Sequence, residues 1–157
     1  MPRLVKGGKF VYGWTRVGYS GHITIAPKAL EDYHMNELDR LILLPGSKTS
    51  GGFGLLSWKS LNGSKMGIFA EVRPELWENR ACEGEIIEFR EKPYCWVKLN
   101  DGSITLPPNT LEKFGIQVLD ILLMVRGSGL ALSFFLQGPI VEEAKKHEEL
   151  EIFEPKE

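Results

Sequence analysis

Apolar residues along this chain fall in short runs broken by Gly, Pro, Asn and Asp, a pattern that predicts strands joined by turns rather than long amphipathic helices. Aromatic-bearing strands are expected at about 10–16 and 94–99. Short β-branched strands follow at "HITI" (22–25) and "SITL" (103–106), each after a turn glycine and each stopped by a proline. "PKALEDY" (27–33) and "PPNTLEKF" (107–114) suit a helical turn or two, and in the second Asn109 and Glu112 have capping-box spacing. "DRLILL" (39–44) and "DILLMV" (120–125) read as buried strands. Each leads through a Gly-Ser turn to a last strand, "GLLSWKS" (54–60) or "LALSFF" (130–135).

The elements therefore come twice in the same order. Residues 21–47 align with 102–128 without a gap, and 11 of 27 positions are identical, among them Gly21/Gly102, Pro27/Pro108, Leu38/Leu119 and Asp39/Asp120. Composition alone gives roughly two matches over such a length. Upstream, Tyr12–Trp14 faces Tyr94–Trp96 with a one-residue shift; downstream, "GLLSW" (54–58) faces "GLALS" (129–133) if six residues are inserted. Such self-similarity marks an internal duplication. One copy alone, with four short strands and little helix, leaves apolar faces and strand edges in water, whereas two copies can close a barrel.

One compact domain over 1–157 is expected, with repeats at about 9–60 and 93–136. A connecting insertion at about 61–92 carries an Asn62-Gly63 hairpin signal, a helical turn in "PELWENR" and an alternating "GEIIEFR" strand. A short C-terminal helix at about 139–149 starts at Pro139, with acids in its first turn and Lys145, Lys146 and His147 later.

The order strand, Gly, "I-T-(I/L)-x-P", short helix, "F-G-I", "L-D", buried strand, Gly turn, strand resembles the AbrB/MazE/SpoVT family of swapped-hairpin barrels. "GSITLPPNTLEKFGIQVLDILLMVRGSGLAL" (102–132) carries the likeness most fully, and the two copies together cover somewhat over half of the chain. The resemblance implies a mainly β, pseudo-two-fold swapped-hairpin barrel fused into one chain. It also implies a DNA-binding transcriptional regulator that contacts DNA near the first strand, after the turn glycine and around the short helix. Antitoxin members of the family bind toxin proteins, so the alternative is a protein-interaction module, antitoxin-like or an adaptor, without DNA binding.

Charge bears on that choice. The net charge is −2, but residues 1–66 hold nine Lys/Arg against four Asp/Glu, while residues 67–157 hold ten against seventeen. Arg3, Lys6, Lys9, Arg16, Lys28 and Lys48 make the first half basic, and clustered on one face they form a phosphate-tracking surface; scattered, they are solvated cations. After the turn glycines, where the family often places Arg, stand His22 and Ser103, and the helix positions often basic hold Leu30 and Glu31, or Leu111 and Glu112. The DNA reading puts Arg16, His22 and Lys28 nearest the duplex, with the acidic C-terminal half facing away.

Other chemistry is thinly represented. "PGSKTSGGFG" (45–54) lacks the spacing of a nucleotide-binding loop and is expected to be a hairpin insertion. His22, His34 and His147 have no metal-ligand spacing, and no nucleophile elbow is present, so neither a metal, a cofactor nor an enzyme is expected. Cys82 and Cys95 read as reduced thiols, at least one of them in the core. Trp14 and Trp96, at equivalent places, are expected in the core, while Trp58 and Trp77 stay open. Arg126 and two glycines interrupt the most apolar stretch (121–136), so no bilayer span is expected, and the N-terminus lacks the apolar region of a secretory signal. A cytoplasmic monomer or homodimer is the resulting expectation.

Overall fold

A computed structural model describes residues 10–57, 82–89, 91–127 and 131–156. It is mainly β, with ten strands and three short helices among those residues. The first half runs β1 (Phe10–Arg16), β2 (His22–Thr24), α1 (Pro27–Asp32), β3 (Arg40–Pro45) and β4 (Phe53–Ser57). The second runs β5 (Ile87–Phe89), β6 (Lys92–Lys98), β7 (Ser103–Thr105), α2 (Pro108–Lys113), β8 (Ile121–Arg126), β9 (Leu132–Phe135), α3 (Pro139–Ala144) and β10 (Ile152–Phe153).

Eight strands form one open sheet in the order β10, β1, β8, β9, β4, β3, β6, β5, and β2 pairs with β7 in a separate ladder. No strand joins the two ends, β10 and β5, so hydrogen bonding does not close this sheet into a barrel among the described residues. The pairing crosses between the halves: β1 lies antiparallel to β8, β3 to β6, β4 to β9 and β2 to β7. Registers recur as well. Trp14 sits opposite Leu123 and Trp96 opposite Ile42; Arg16 sits opposite Ile121 and Lys98 opposite Arg40. Ile23 faces Ile104 at the centre of the β2–β7 ladder, with His22 facing Thr105 and Thr24 facing Ser103 on either side.

Register also corrects one alignment. Ile42 pairs with Leu56, and Leu123, which is 81 residues after Ile42, pairs with Phe135, which is 79 after Leu56. The first copy's turn is therefore two residues longer than the second's, not six. Seven residues, 46–52, separate β3 from β4, and the turn is folded back on itself: the Gly51 N–H donates to the Ser47 carbonyl at 2.8 Å.

The principal core lies between the large sheet, the β2–β7 ladder and helices α1 and α2. Ile23, Ile25, Ala29, Leu41, Leu43, Phe53, Leu55, Val97, Ile104, Leu106, Leu122 and Phe134 are all buried there. Phe53 and Phe134, opposite one another in β4 and β9, stack with ring centroids 4.5 Å apart. A second cluster of Val11, Leu123, Val125, Val141, Ala144 and Leu150 fills the other face of β1–β8 beneath α3. Trp14 is half-buried against this second cluster. Trp96 is 7% exposed, with the Arg40 guanidinium 4.3 Å from its ring centre. Trp96 is thus buried as expected, while Trp14 is only partly so, packed against the second cluster.

Two helix expectations change. α2 starts at Pro108 with no side-chain cap, so Asn109 falls inside the helix. Proline fits the first helical position because its ring already fixes φ and no N–H is wasted there, and this moves the start upstream of the Asn109–Glu112 pair. α3 ends at Ala144, short of 149, where Lys146 donates to Glu143 and His147 to Ala144 in tighter three-residue turns. The hairpin at Asn62-Gly63, the "PELWENR" turn, Trp58 and Trp77 lie outside the described residues.

β10 is the element that the pattern did not announce. It joins β1 in parallel, Trp14 opposite Ile152 and Thr15 opposite Phe153, and the Trp14 N–H donates to the Glu151 carbonyl at 2.8 Å. A β-bulge between Val11 and Gly13 makes room for it. Gly13 has φ +133°, and a Cβ there would lie 2.8 Å from the Glu151 oxygen. Gly13→Ala is therefore expected to cost roughly 2–3 kcal/mol in urea unfolding and to speed hydrogen exchange at the Trp14 amide, as the C-terminal strand is pushed off β1.

Candidate functional site

The β1–β2 region, where the first half's basic residues were expected to meet DNA, is built by the end of β1, the β2–β7 ladder and the start of α1. Proline at the first position of α1 sets the helix start, so Lys28 lies in its first turn and Asp32 at its end. Arg16 closes β1. The C-terminal segment arrives through β10 and lies across this surface: Arg16 Nε is 2.8 Å from Glu154 Oε1, and the Thr24 hydroxyl donates to the Glu154 carbonyl at 3.2 Å. Further along, the Lys156 ammonium donates to the Asp101 carbonyl at 2.9 Å and lies 3.6 Å from its carboxylate. The acidic tail does not face away from β1; it is strapped to it.

Lys28 is likewise paired, its Nζ lying 3.7 Å from Glu31 and 3.4 Å from Asp32. Asp32 anchors a small polar cluster, accepting the Tyr12 hydroxyl at 3.0 Å and facing Arg126 Nη1 at 3.9 Å. Burial alone raises the Asp32 carboxyl pKa, but the Tyr12 hydrogen bond and the Lys28 and Arg126 charges outweigh it and hold the group below the ordinary carboxylate range. The Tyr12 phenol is pushed up, first by burial and then by its bond to Asp32. Beside this cluster lies a groove of about 530 Å³ walled by Val11, Ala26, Leu150 and Phe153, with Tyr12 and Lys28 at its margin.

Of the remaining expected positions, His22 and Lys48 are among the described residues and lie on different elements. His22 begins β2, and its Nε2 is buried with no hydrogen-bond partner among the described residues. Lys48 is exposed on the turn between β3 and β4, a turn held by the Ser47–Ser50 hydroxyl contact at 2.8 Å and by Leu136 and Gln137 N–H groups donating to the Ser50 carbonyl. Those backbone bonds tie the turn to the chain after β9, and it does not have the form of a phosphate cradle. Arg3, Lys6 and Lys9 lie outside the described residues. His34 is exposed, and His147 pairs with Glu149 at 3.0 Å. Among the described residues no group of three or more His, Cys, Asp or Glu could hold a metal ion, and no helix is long and apolar enough to cross a membrane.

Sequence reasoning missed Glu37, Asp32, Tyr12 and Glu154. Glu37 accepts the backbone N–H groups of Asp101 and Gly102, the second at 3.0 Å, and so ties the β3 approach to the β6–β7 turn. No local spacing signals that contact, since its partners are 64 and 65 residues away. Asp39 and Asp120 were visible as repeated residues; each accepts the N–H three residues before it, from Asn36 and Gln117, both at 2.8 Å.

Tyr12→Phe is expected to lower stability by about 1–2 kcal/mol at neutral pH. An unfolded Asp titrates near about 4, so stability owed to the depressed Asp32 carboxyl is complete above that value and is lost as pH falls through its folded value. Urea unfolding should therefore show the gap between wild type and Tyr12→Phe narrowing toward pH of about 2. The two thiols should separate cleanly. Cys82 is exposed, whereas Cys95 is buried and its thiol is pushed up to about 12. A thiol reagent at pH of about 8 should label Cys82 quickly and Cys95 only after unfolding.

No protein-family model, no curated protein and no solved structure matches this chain.

Proposed function

We propose that the chain is a pair of AbrB-like repeats fused into one pseudo-two-fold, swapped-hairpin barrel, and that it works as a protein-interaction module, antitoxin-like or an adaptor, rather than by gripping DNA through its β1–β2 region. The duplication in sequence, the crossed pairing of the halves and the recurring registers around Ile23 and Ile104 support the fused-pair reading. Continuous packing of the β2–β7 ladder against the large sheet supports a barrel-like interior.

The observation that carries the functional reading is the Arg16–Glu154 pair at 2.8 Å, formed because β10 runs along β1. A phosphate-tracking surface needs cations whose counterions are free to leave. Here Arg16 and Lys28, two of the cations expected nearest a duplex, already have carboxylate partners from the chain itself. Mixed charge of this kind suits a protein partner, for which polar groups of both signs give register and specificity. The reading involves no catalysis and no cofactor.

DNA-binding regulation remains the second reading, favoured by Arg3, Lys6 and Lys9, which stand among residues 1–9 with no acid between them. Fluorescence anisotropy with a labelled duplex of about 30 base pairs, titrated between about 50 and 200 mM salt, separates the two. The protein-module reading expects no saturable binding anywhere in that range. Tight binding that falls by about 10³-fold as salt rises, and that weakens in Arg16→Ala, transfers the conclusion to DNA.

A further inference from the structure

β10 lies on the outer edge of β1 and covers little of it. The register couples Ile152 and Phe153 to Trp14 and Thr15, two of the seven residues of β1. Val11 and Tyr12, earlier in the same strand, instead line the groove of about 530 Å³ that runs between the C-terminal segment and the start of α1. An edge strand is a template for a further strand, and here the template is longer than the strand laid on it.

The contacts that hold the segment form a recognition scheme for an extended peptide. Two donors take its main chain: the Trp14 N–H reaches the Glu151 carbonyl at 2.8 Å, and the Thr24 hydroxyl reaches the Glu154 carbonyl at 3.2 Å. These two accept any sequence. Two others select side chains. Arg16 Nε takes the Glu154 carboxylate at 2.8 Å, and Phe153 packs against the principal core beside Gly13, where a Cβ would lie 3.3 Å from its ring. Ile152, between them and Glu151, is left 44% exposed. Main-chain bonds for affinity and alternate side chains for specificity are the chemistry of strand addition. The restraints are also weak ones. Arg16–Glu154 and Lys156–Asp101 are surface ion pairs, which contribute little to stability, and the ladder is two residues long.

We propose that the outer edge of β1 and its adjoining groove form a docking site for an extended segment of a partner protein, one in which a large apolar residue is followed directly by an acid. Residues 151–154 occupy the site in cis until such a partner displaces them. This deepens the protein-interaction reading and rests on it. The chain's own segment identifies the occupant, because whatever replaces it meets the same two main-chain donors, the same space beside Gly13 and the same guanidinium. The groove along Val11 and Tyr12 offers a longer strand contacts that the two-residue β10 lacks. Tethered beside the site, the segment competes at high effective concentration, so a free peptide binds well only once the tail is loosened.

Fluorescence anisotropy of a labelled peptide with the sequence of residues 149–156, added to the full chain, tests the proposal. Wild type is expected to bind it weakly. Glu154→Lys, whose own segment Arg16 now repels, is expected to bind it at least about tenfold tighter. Arg16→Glu should lose that peptide and instead take one with Lys in place of the residue matching Glu154. Both positions are at the surface, and thermal midpoints close to that of wild type are expected. No binding by Glu154→Lys up to about 1 mM peptide overturns the proposal. So does binding indifferent to the charge exchange, or a clearly lowered midpoint in both variants, since the pair then serves the fold. A wild-type dimer that the peptide dissociates assigns the edge to a second copy and overturns the partner reading. Failure of peptide binding without duplex binding removes the docking site alone; duplex binding removes the protein-module reading.

Discussion

The structure depends on strands finding their partners in the other half of the chain. β1 leaves its own repeat to lie on β8, and β3, with its own β4 on one side, takes β6 from the other half on the second. Were each repeat to fold alone, β1 and β3 would present unpaired edges and the core faces of Leu41, Leu43, Leu122 and Met124 would meet water. Crossing satisfies both halves at once. The β2–β7 ladder, centred on Ile23 and Ile104, then closes over the shared interior.

Upon this symmetric frame the C-terminal segment imposes an asymmetry. Among the described strands β10 adds to β1, where Gly13 has no Cβ to collide with the Glu151 oxygen. The tail thereby delivers Glu154 to Arg16 and Lys156 to Asp101. A chain that looks electrically divided in sequence is in this way locally neutralised in space. A linear tally of charge cannot anticipate that result, since the acids and the bases that meet are as much as 138 residues apart.

Much of the fold was legible because its signals are local. The β1 boundaries follow from a run of aromatic and β-branched residues, α1 from Pro27 followed by helix formers, and β3 and β8 from Asp-headed apolar runs. The same short apolar runs made the mainly β class legible. What was missed depends on partners far away in sequence: the two-residue β10 has no periodicity of its own, and the Glu37 clamp exists only because β6 and β7 return beside it. Leu38 and Leu119 were read as matched residues but not as left-handed ones, since leucine at such a backbone is the opposite of what propensity suggests. The site was less legible than the fold for the same reason. Whether a lysine or arginine is free is decided by its neighbours in space, and for Arg16 the neighbour comes from the last few residues.

The crossed pairing also sets the order of events when the chain is made. Thr15 waits for Leu122 and Leu43 for Cys95, so the first half leaves the ribosome with no completed sheet to join. At roughly 5–20 residues per second, the wait for β8 lasts on the order of ten seconds. Until β6 and β9 emerge, the apolar strands β3 and β4 are a nascent hairpin with two unsatisfied edges, open to pairing with other chains.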